Sequence, residues 1–147
     1  MVDRRRRHVR RLPVDDRDVS EMILTGLDLL FLEVNDLEES IAFYHERLGF
    51  DLESVTLEAE PPMATLRAGR LKVMLAQVPI TMVRRGRGVH FFFGVTDVDA
   101  YYERLKNHNV EVTFPSDEGW GGRFISVEDP DRYRLFFVRW YGQNGHG

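Results

Sequence analysis

Apolar and polar positions follow a pattern that this chain writes twice. Leu29-Leu30-Phe31-Leu32-Glu33-Val34 is a nearly unbroken apolar run, which predicts a strand covered on both faces. Asp36 follows, with Glu39 three positions later: an Asx cap plus a returning carboxylate, which satisfies the free amides of a helix start. Leu37, Ile41, Tyr44 and Leu48 then recur at helical spacing on one face, and Gly49 supplies a left-handed stop. About 60 residues on, the pattern returns. Val89 to Val95 form the apolar run, Asp97 takes the cap, and Val98, Tyr101, Tyr102 and Leu105 form the buried stripe. Asn109 stands where Gly49 stood, asparagine being the usual substitute for glycine in that turn.

Three β-type segments trail each helix. They are Phe50 to Leu57, Met63 to Ala68 and Leu71 to Ala76 in the first copy. In the second they are Val110 to Phe114, Arg123 to Val127 and Tyr133 to Val138. Pro61-Pro62, Gly69-Arg70, Gly119 to Gly122 and Pro130 punctuate them. The unit reads βαβββ. The expected fold is α+β: two paired βαβββ modules forming curved mixed sheets around a concave cavity. The modules span about 28–83 and 88–140, joined by the Arg-Gly segment Arg84 to Gly88, with an extension at 1–27 and a tail at 141–147.

Strand alternation sorts the side chains onto two faces. Leu30, Leu32, Val34, Leu71, Val73 and Leu75 of the first module should face the helices, with Phe91, Phe93, Val95, Leu135 and Phe137 of the second. Leu29, Phe31, Glu33, Lys72, Met74 and Ala76 fall on the other face, as do His90, Phe92, Arg134, Phe136 and Val138. This second set mixes large apolar groups with a few ionisable ones, as a small-molecule site does.

Composition narrows the classes. At 147 residues, 43% hydrophobic and 30% charged, the chain reads as one soluble globular domain. No apolar stretch approaches the roughly 18 residues of a membrane-spanning helix. Without cysteine there is no disulfide framework, thiolate nucleophile or Cys-ligated metal, and a cytoplasmic protein is expected. Residues 1–17 carry seven arginines against three aspartates, a charge of +4; the remaining 13 basic and 21 acidic residues give −8. The arginine arm lacks interleaved aromatics and sits on an acidic body, so a nucleic-acid partner is not expected. No apolar stretch follows the arginines, so the arm does not read as a signal peptide.

Three segments resemble one family. Val34-Asn35-Asp36 through Phe43-Tyr44 with Leu48-Gly49-Phe50, Gly88-Val89-His90 through Asp97 to Tyr102, and Trp120-Gly121-Gly122-Arg123-Phe124 with Asp129-Pro130-Asp131 resemble the vicinal oxygen chelate superfamily. That superfamily includes glyoxalase I, bleomycin-resistance proteins, extradiol dioxygenases and fosfomycin-resistance enzymes. The resemblance covers about residues 28–140 and implies the same paired βαβββ fold. Arg132 departs from the glycine usual in the last motif, so the turn there must accept a side chain.

In metal-dependent members, one side chain from the first and one from the last strand of each module hold a divalent ion. Carried over through the repeat, these positions are Leu29, Met74, His90 and Phe136. One imidazole among three apolar neighbours lacks the three or four N, O or S donors such ions need, so no metal or other cofactor is expected. The resemblance then implies a metal-independent, drug-binding type of member, a homodimer holding a small-molecule ligand in its groove. Phe31, Phe92, Phe136 and Trp120 could stack on a planar ligand, and Glu33 could pair with a cationic group. Lys72 and Arg134 complicate that picture: with Glu33 and His90 they form either a self-satisfied polar cluster or a site for a ligand carboxylate. Two alternatives stand beside binding. One is a lyase, isomerase or dioxygenase-like enzyme using His90 and Glu33 as its catalytic candidates. The other is an interaction module acting through the arginine arm.

Overall fold

The computed structural model describes residues 23–80, 85–119 and 121–142. The arginine arm, Arg84, Trp120 and the end of the tail therefore lie outside the described residues. In the first module, strand β1 (Leu29–Val34) leads to helix α1 (Leu37–Ile41), which continues as a π-helical segment (Ala42–Arg47). Strands β2 (Asp51–Thr56), β3 (Met63–Ala68) and β4 (Leu71–Gln77) complete it. The second module has β5 (His90–Gly94), α2 (Val98–Asn107), β6 (Ser116–Glu118), β7 (Gly122–Glu128) and β8 (Arg134–Trp140).

Each module forms one four-stranded mixed sheet, in the orders β1-β4-β3-β2 and β5-β8-β7-β6. The helical crossover makes β1 parallel to β4 and β5 parallel to β8, while the other pairs are antiparallel hairpins. The α+β class and the paired modules are as the repeat foretold, and the sheets are not closed. In each sheet the first strand, β1 or β5, is an edge strand.

The cap geometry matches in both copies. Asp36 accepts from the Glu39 amide at 3.1 Å and Asp97 from the Ala100 amide at 3.0 Å. Gly49 (φ 89°) and Asn109 (φ 61°) both take the left-handed conformation that ends each helix. Arg132 does the same at φ 73°, so the last turn keeps its shape and places an L side chain in a region that costs it energy.

Two segments differ from expectation. The first helix does not stay regular: the Leu48 amide reaches back five residues to the Phe43 carbonyl at 2.9 Å. In the second module the strand expected at Val110 to Phe114 falls instead at Ser116–Glu118. Thr113 explains the shift. Its hydroxyl, not its carbonyl, accepts the Ser126 amide at 2.9 Å, and Pro115 then has no amide to offer a ladder.

The helix-side faces of the two sheets share one core. Leu32, Val34, Val73, Leu75, Leu135 and Phe137 are buried as the alternation predicted, and Leu30, Leu71, Phe91, Phe93 and Val95 are half-buried. Phe50 of the first module meets Phe93 of the second at 5.5 Å between ring centroids, and Phe93 stacks on Phe137 at 5.4 Å. Ala76 and Val138, assigned by alternation to the open face, are fully buried. Larger same-face neighbours cover them: Glu33 and Met63 flank Ala76, and Phe124 lies across from Val138. Among the described residues no helix is long and apolar enough to cross a membrane.

Candidate ligand-binding site

The open face of the second sheet carries an aromatic platform. Parallel register sets His90 beside Arg134 and Phe92 beside Phe136. The Phe92 and Phe136 rings stack at 4.6 Å with an interplanar angle of 11°. His90 lies 5.4 Å from Phe136 on one side, and Phe124 lies 5.5 Å from it on the next strand. Trp140 extends the row, 6.3 Å from Phe92. Phe92 is still 48% exposed, a large apolar surface left open to water.

Sequence reasoning missed Phe124 and Trp140. Phe124 was legible, because strand alternation in β7 puts Phe124 and Ser126 on the face opposite Ile125 and Val127. Trp140 lies two residues beyond the expected end of the last strand. Trp120, expected to join the stack, lies outside the described residues.

The first sheet's open face is built in the same register. Leu29 sits opposite Lys72, Phe31 opposite Met74 and Glu33 opposite Ala76. Phe31 is 52% exposed. The proposed residues therefore divide between two sheets: Leu29, Phe31, Glu33, Lys72 and Met74 on one, His90, Phe92, Arg134 and Phe136 on the other. Among the described residues, Glu33 and His90 make no hydrogen bond to each other.

Glu33 already has a cation. Arg85, buried in the segment joining the modules, places Nη1 3.5 Å from Glu33 Oε1 and Nε 3.6 Å from Asp131 Oδ1. Its Nη2 donates to Asn35 Oδ1 at 2.9 Å and also to the Val78 carbonyl. Asp131 accepts the Asn35 amide at 2.9 Å, and Tyr133 donates its hydroxyl to the Glu33 carbonyl at 3.0 Å. Beside it, Asp129 accepts the Tyr44 hydroxyl at 2.5 Å and the amides of Asp131 and Tyr133 at 2.9 and 2.8 Å. Burial pushes the Asp129 carboxyl up to about 6 against the pull of those three donors, and drives the Tyr44 hydroxyl well above its ordinary value. This network fastens the second module to the first directly beneath Glu33. None of its side chains except Glu33 was singled out for a site; Arg85 was read only as part of a joining segment.

The four family metal positions contain one donor, His90, whose imidazole leans on Phe136. Among the described residues no group of three or more His, Cys, Asp or Glu is placed to hold a metal ion. Leu29 is flanked by Lys72, a cation, which makes that end of the first sheet unsuited to a divalent metal. The residues do not fit the family's ion. Hollows open beside Arg134 and along the seam. Arg134 lines one of about 390 Å³ with Thr113, Ser126 and Glu128, and the seam holds a cleft of about 280 Å³ whose lining mixes Phe50, Phe93, Tyr101 and Phe137 with Asp51 and Arg67. A third, of about 450 Å³, lies between Phe43 and Pro130.

Two modules of one design, each with a half-covered sheet, define a class of small α+β proteins. The chain belongs to the Glyoxalase/Bleomycin resistance protein/Dioxygenase superfamily, whose family model matches residues 26–137. Among solved structures it is similar to TnmS3, an antibiotic binding protein from Streptomyces sp. CB03234, at 24% identity and a TM-score of 0.66, covering 82% of this chain and 99% of that one. A glyoxalase/bleomycin resistance protein from the same organism matches at 25% identity and a TM-score of 0.62, covering 78% and 100%. The fosfomycin resistance protein FosX of Listeria monocytogenes shares the fold at 22% identity and a TM-score of 0.65, covering 80% and 94%. Comparison with curated proteins gives no match.

Proposed function

We propose that this protein is a metal-independent small-molecule binding protein that works as a homodimer. Its ligand is an aromatic or amphipathic metabolite or antibiotic, held in a groove between the first sheet of one copy and the second sheet of the other. The observation that carries this reading is the stacked pair of Phe92 and Phe136 on the open face of the second sheet, with Phe92 48% exposed. Edge strands β1 and β5 support a second copy. Among the described residues each is paired on one side only, and an edge as apolar as Leu29–Val34 invites another strand or chain. Likeness to an antibiotic binding protein supports the ligand class.

The test joins assembly, metal and binding. Sedimentation should show a dimer, and planar aromatic compounds should quench tryptophan fluorescence. Chelation should leave that binding within about twofold, because the donor set cannot hold a divalent ion. Phe136→Ala should weaken binding about 10-fold, the range of one lost aromatic contact. Stoichiometric Ni, Zn, Mn or Fe in the purified protein, lost in His90→Ala, overturns the metal-independent reading. A monomer that binds no aromatic compound overturns the groove.

A further inference from the structure

Both modules place a cation at the same register position of the open face. Lys72 lies opposite Leu29 and Arg134 lies opposite His90, and Leu29 and His90 each stand seven residues before their cap aspartates. The repeat thus superimposes Lys72 on Arg134. Their surroundings differ. Arg134 faces Glu128 across β7 and β8, and the two close an ion pair at 2.9 Å. Lys72 faces Arg67 across β3 and β4, a second cation in the place where the other module has a carboxylate. Arg67 is itself turned away, its Nε donating to Glu53 at 2.6 Å. Asp51 lies across from Arg67, one strand further from Lys72.

Among the described residues Lys72 has no carboxylate within ion-pair reach. On the open faces of β1, β4, β5 and β8 the one carboxylate is Glu33, and Arg85 already holds it at 3.5 Å. His90 faces the phenyl ring of Phe136, and no acid pairs with it among the described residues. Lys72 is therefore the cation on the open faces of these four strands left without a carboxylate among the described residues, since Glu128 holds Arg134. Lys72 is half-buried as a residue, and an ammonium without a carboxylate partner beside apolar strand neighbours favours an anionic ligand group.

We propose that Lys72 is the anion-recognition point of the groove and that the ligand is an aromatic acid. Its ring system lies against Phe92 and Phe136 of one copy, and its carboxylate, sulfonate or phosphate meets Lys72 of the other. The proposal rests on the groove between copies proposed above. It reverses the first electrostatic expectation, in which Glu33 would select a cation.

Two dyes with the same rings separate the two ideas: anilinonaphthalene sulfonate, and its uncharged parent N-phenylnaphthylamine. Both are titrated by fluorescence into the full-length wild type, Lys72→Met and Lys72→Arg. Lys72→Met should weaken the sulfonate about 10-fold while changing the neutral dye less than about twofold, and Lys72→Arg should retain the sulfonate. Added salt should weaken sulfonate binding to the wild type and leave it flat in Lys72→Met. Retention of the neutral dye also shows that Lys72→Met is folded. An equal loss of both dyes, or no loss of the sulfonate, overturns the role of Lys72 while the groove stands. If neither dye binds the wild type, the groove fails and the anion point fails with it.

Discussion

The two modules repeat one backbone and divide the labour of joining it. The fourth residue after each cap aspartate reaches across the seam. In the first module it is Ser40, which donates to Asp131 Oδ2 at 3.5 Å; in the second it is Tyr101, which donates to the Leu48 carbonyl at 2.7 Å. From there they diverge. The β7–β8 turn of the second module sends the buried Asp129 and Asp131 into the first module, whereas the matching β3–β4 turn, Gly69-Arg70, is exposed. Caps, first-strand registers and the crossover repeat in both copies, while the buried carboxylates of the fastening come one way, from the second module. Symmetry of backbone does not carry over to symmetry of stability.

Breaking the one-way fastening gives the largest expected effect. Arg85→Met removes the cation from Asp131, whose side chain is only 2% exposed, and should lower unfolding free energy by about 3 kcal/mol in urea. Asp131→Asn added to it should recover part of that loss, because the stranded charge goes with it. Full additivity of the two losses would show that the pair does not couple.

Two of the tyrosines that bond across the seam sharpen the contrast. Tyr44→Phe leaves Asp129 short of a donor in a buried site and should cost about 2 kcal/mol, while Tyr101→Phe, which frees a half-buried carbonyl, should cost about 1 kcal/mol. Equal costs would mean that the carboxylate adds nothing to the seam. Asp129 also gives the seam a pH signature. Its folded value of about 6 lies above its ordinary value of 3.8, so the folded state binds the proton more tightly than the unfolded chain. The contribution of Asp129 to stability therefore grows as pH falls through about 6 towards 3.8, and is lost as pH rises again. Asp129→Asn should remove that difference between unfolding curves at acidic and neutral pH.

The smallest effect is the only stabilising one. Arg132→Gly should raise unfolding free energy by about 0.5–1 kcal/mol, because glycine accepts the φ of 73° without the penalty on an L side chain. Asn109→Gly, at a similar φ in a residue suited to it, should change much less. A loss of stability in Arg132→Gly would mean that the arginine side chain has an energetic role of its own.

Much of this molecule is legible from periodicity. Asp36 and Asp97 as caps, Gly49 and Asn109 as stops, and the face assignments of Phe31, Phe92 and Phe136 all follow from spacing and backbone chemistry, which are local. What escaped is non-local or competitive. Thr113 looks like a strand residue until its hydroxyl takes a bond that its backbone was expected to make. Arg85 looks like an ordinary linker arginine, because its partners Glu33 and Asp131 are 52 and 46 residues away. Ala76 and Val138 alternate correctly and are buried by their neighbours' bulk, which alternation does not measure.

The fastening also sets an order of events during synthesis. The Asn35 amide and the Tyr44 hydroxyl wait for acceptors that lie 96 and 85 residues further along the chain. At roughly 5–20 residues per second, a ribosome takes about 5–20 seconds to supply them. Through that interval the first module lacks both acceptors. A chain cut short before residue 129 would lack Asp129 and Asp131 together with β8, the strand that joins β5 to β7.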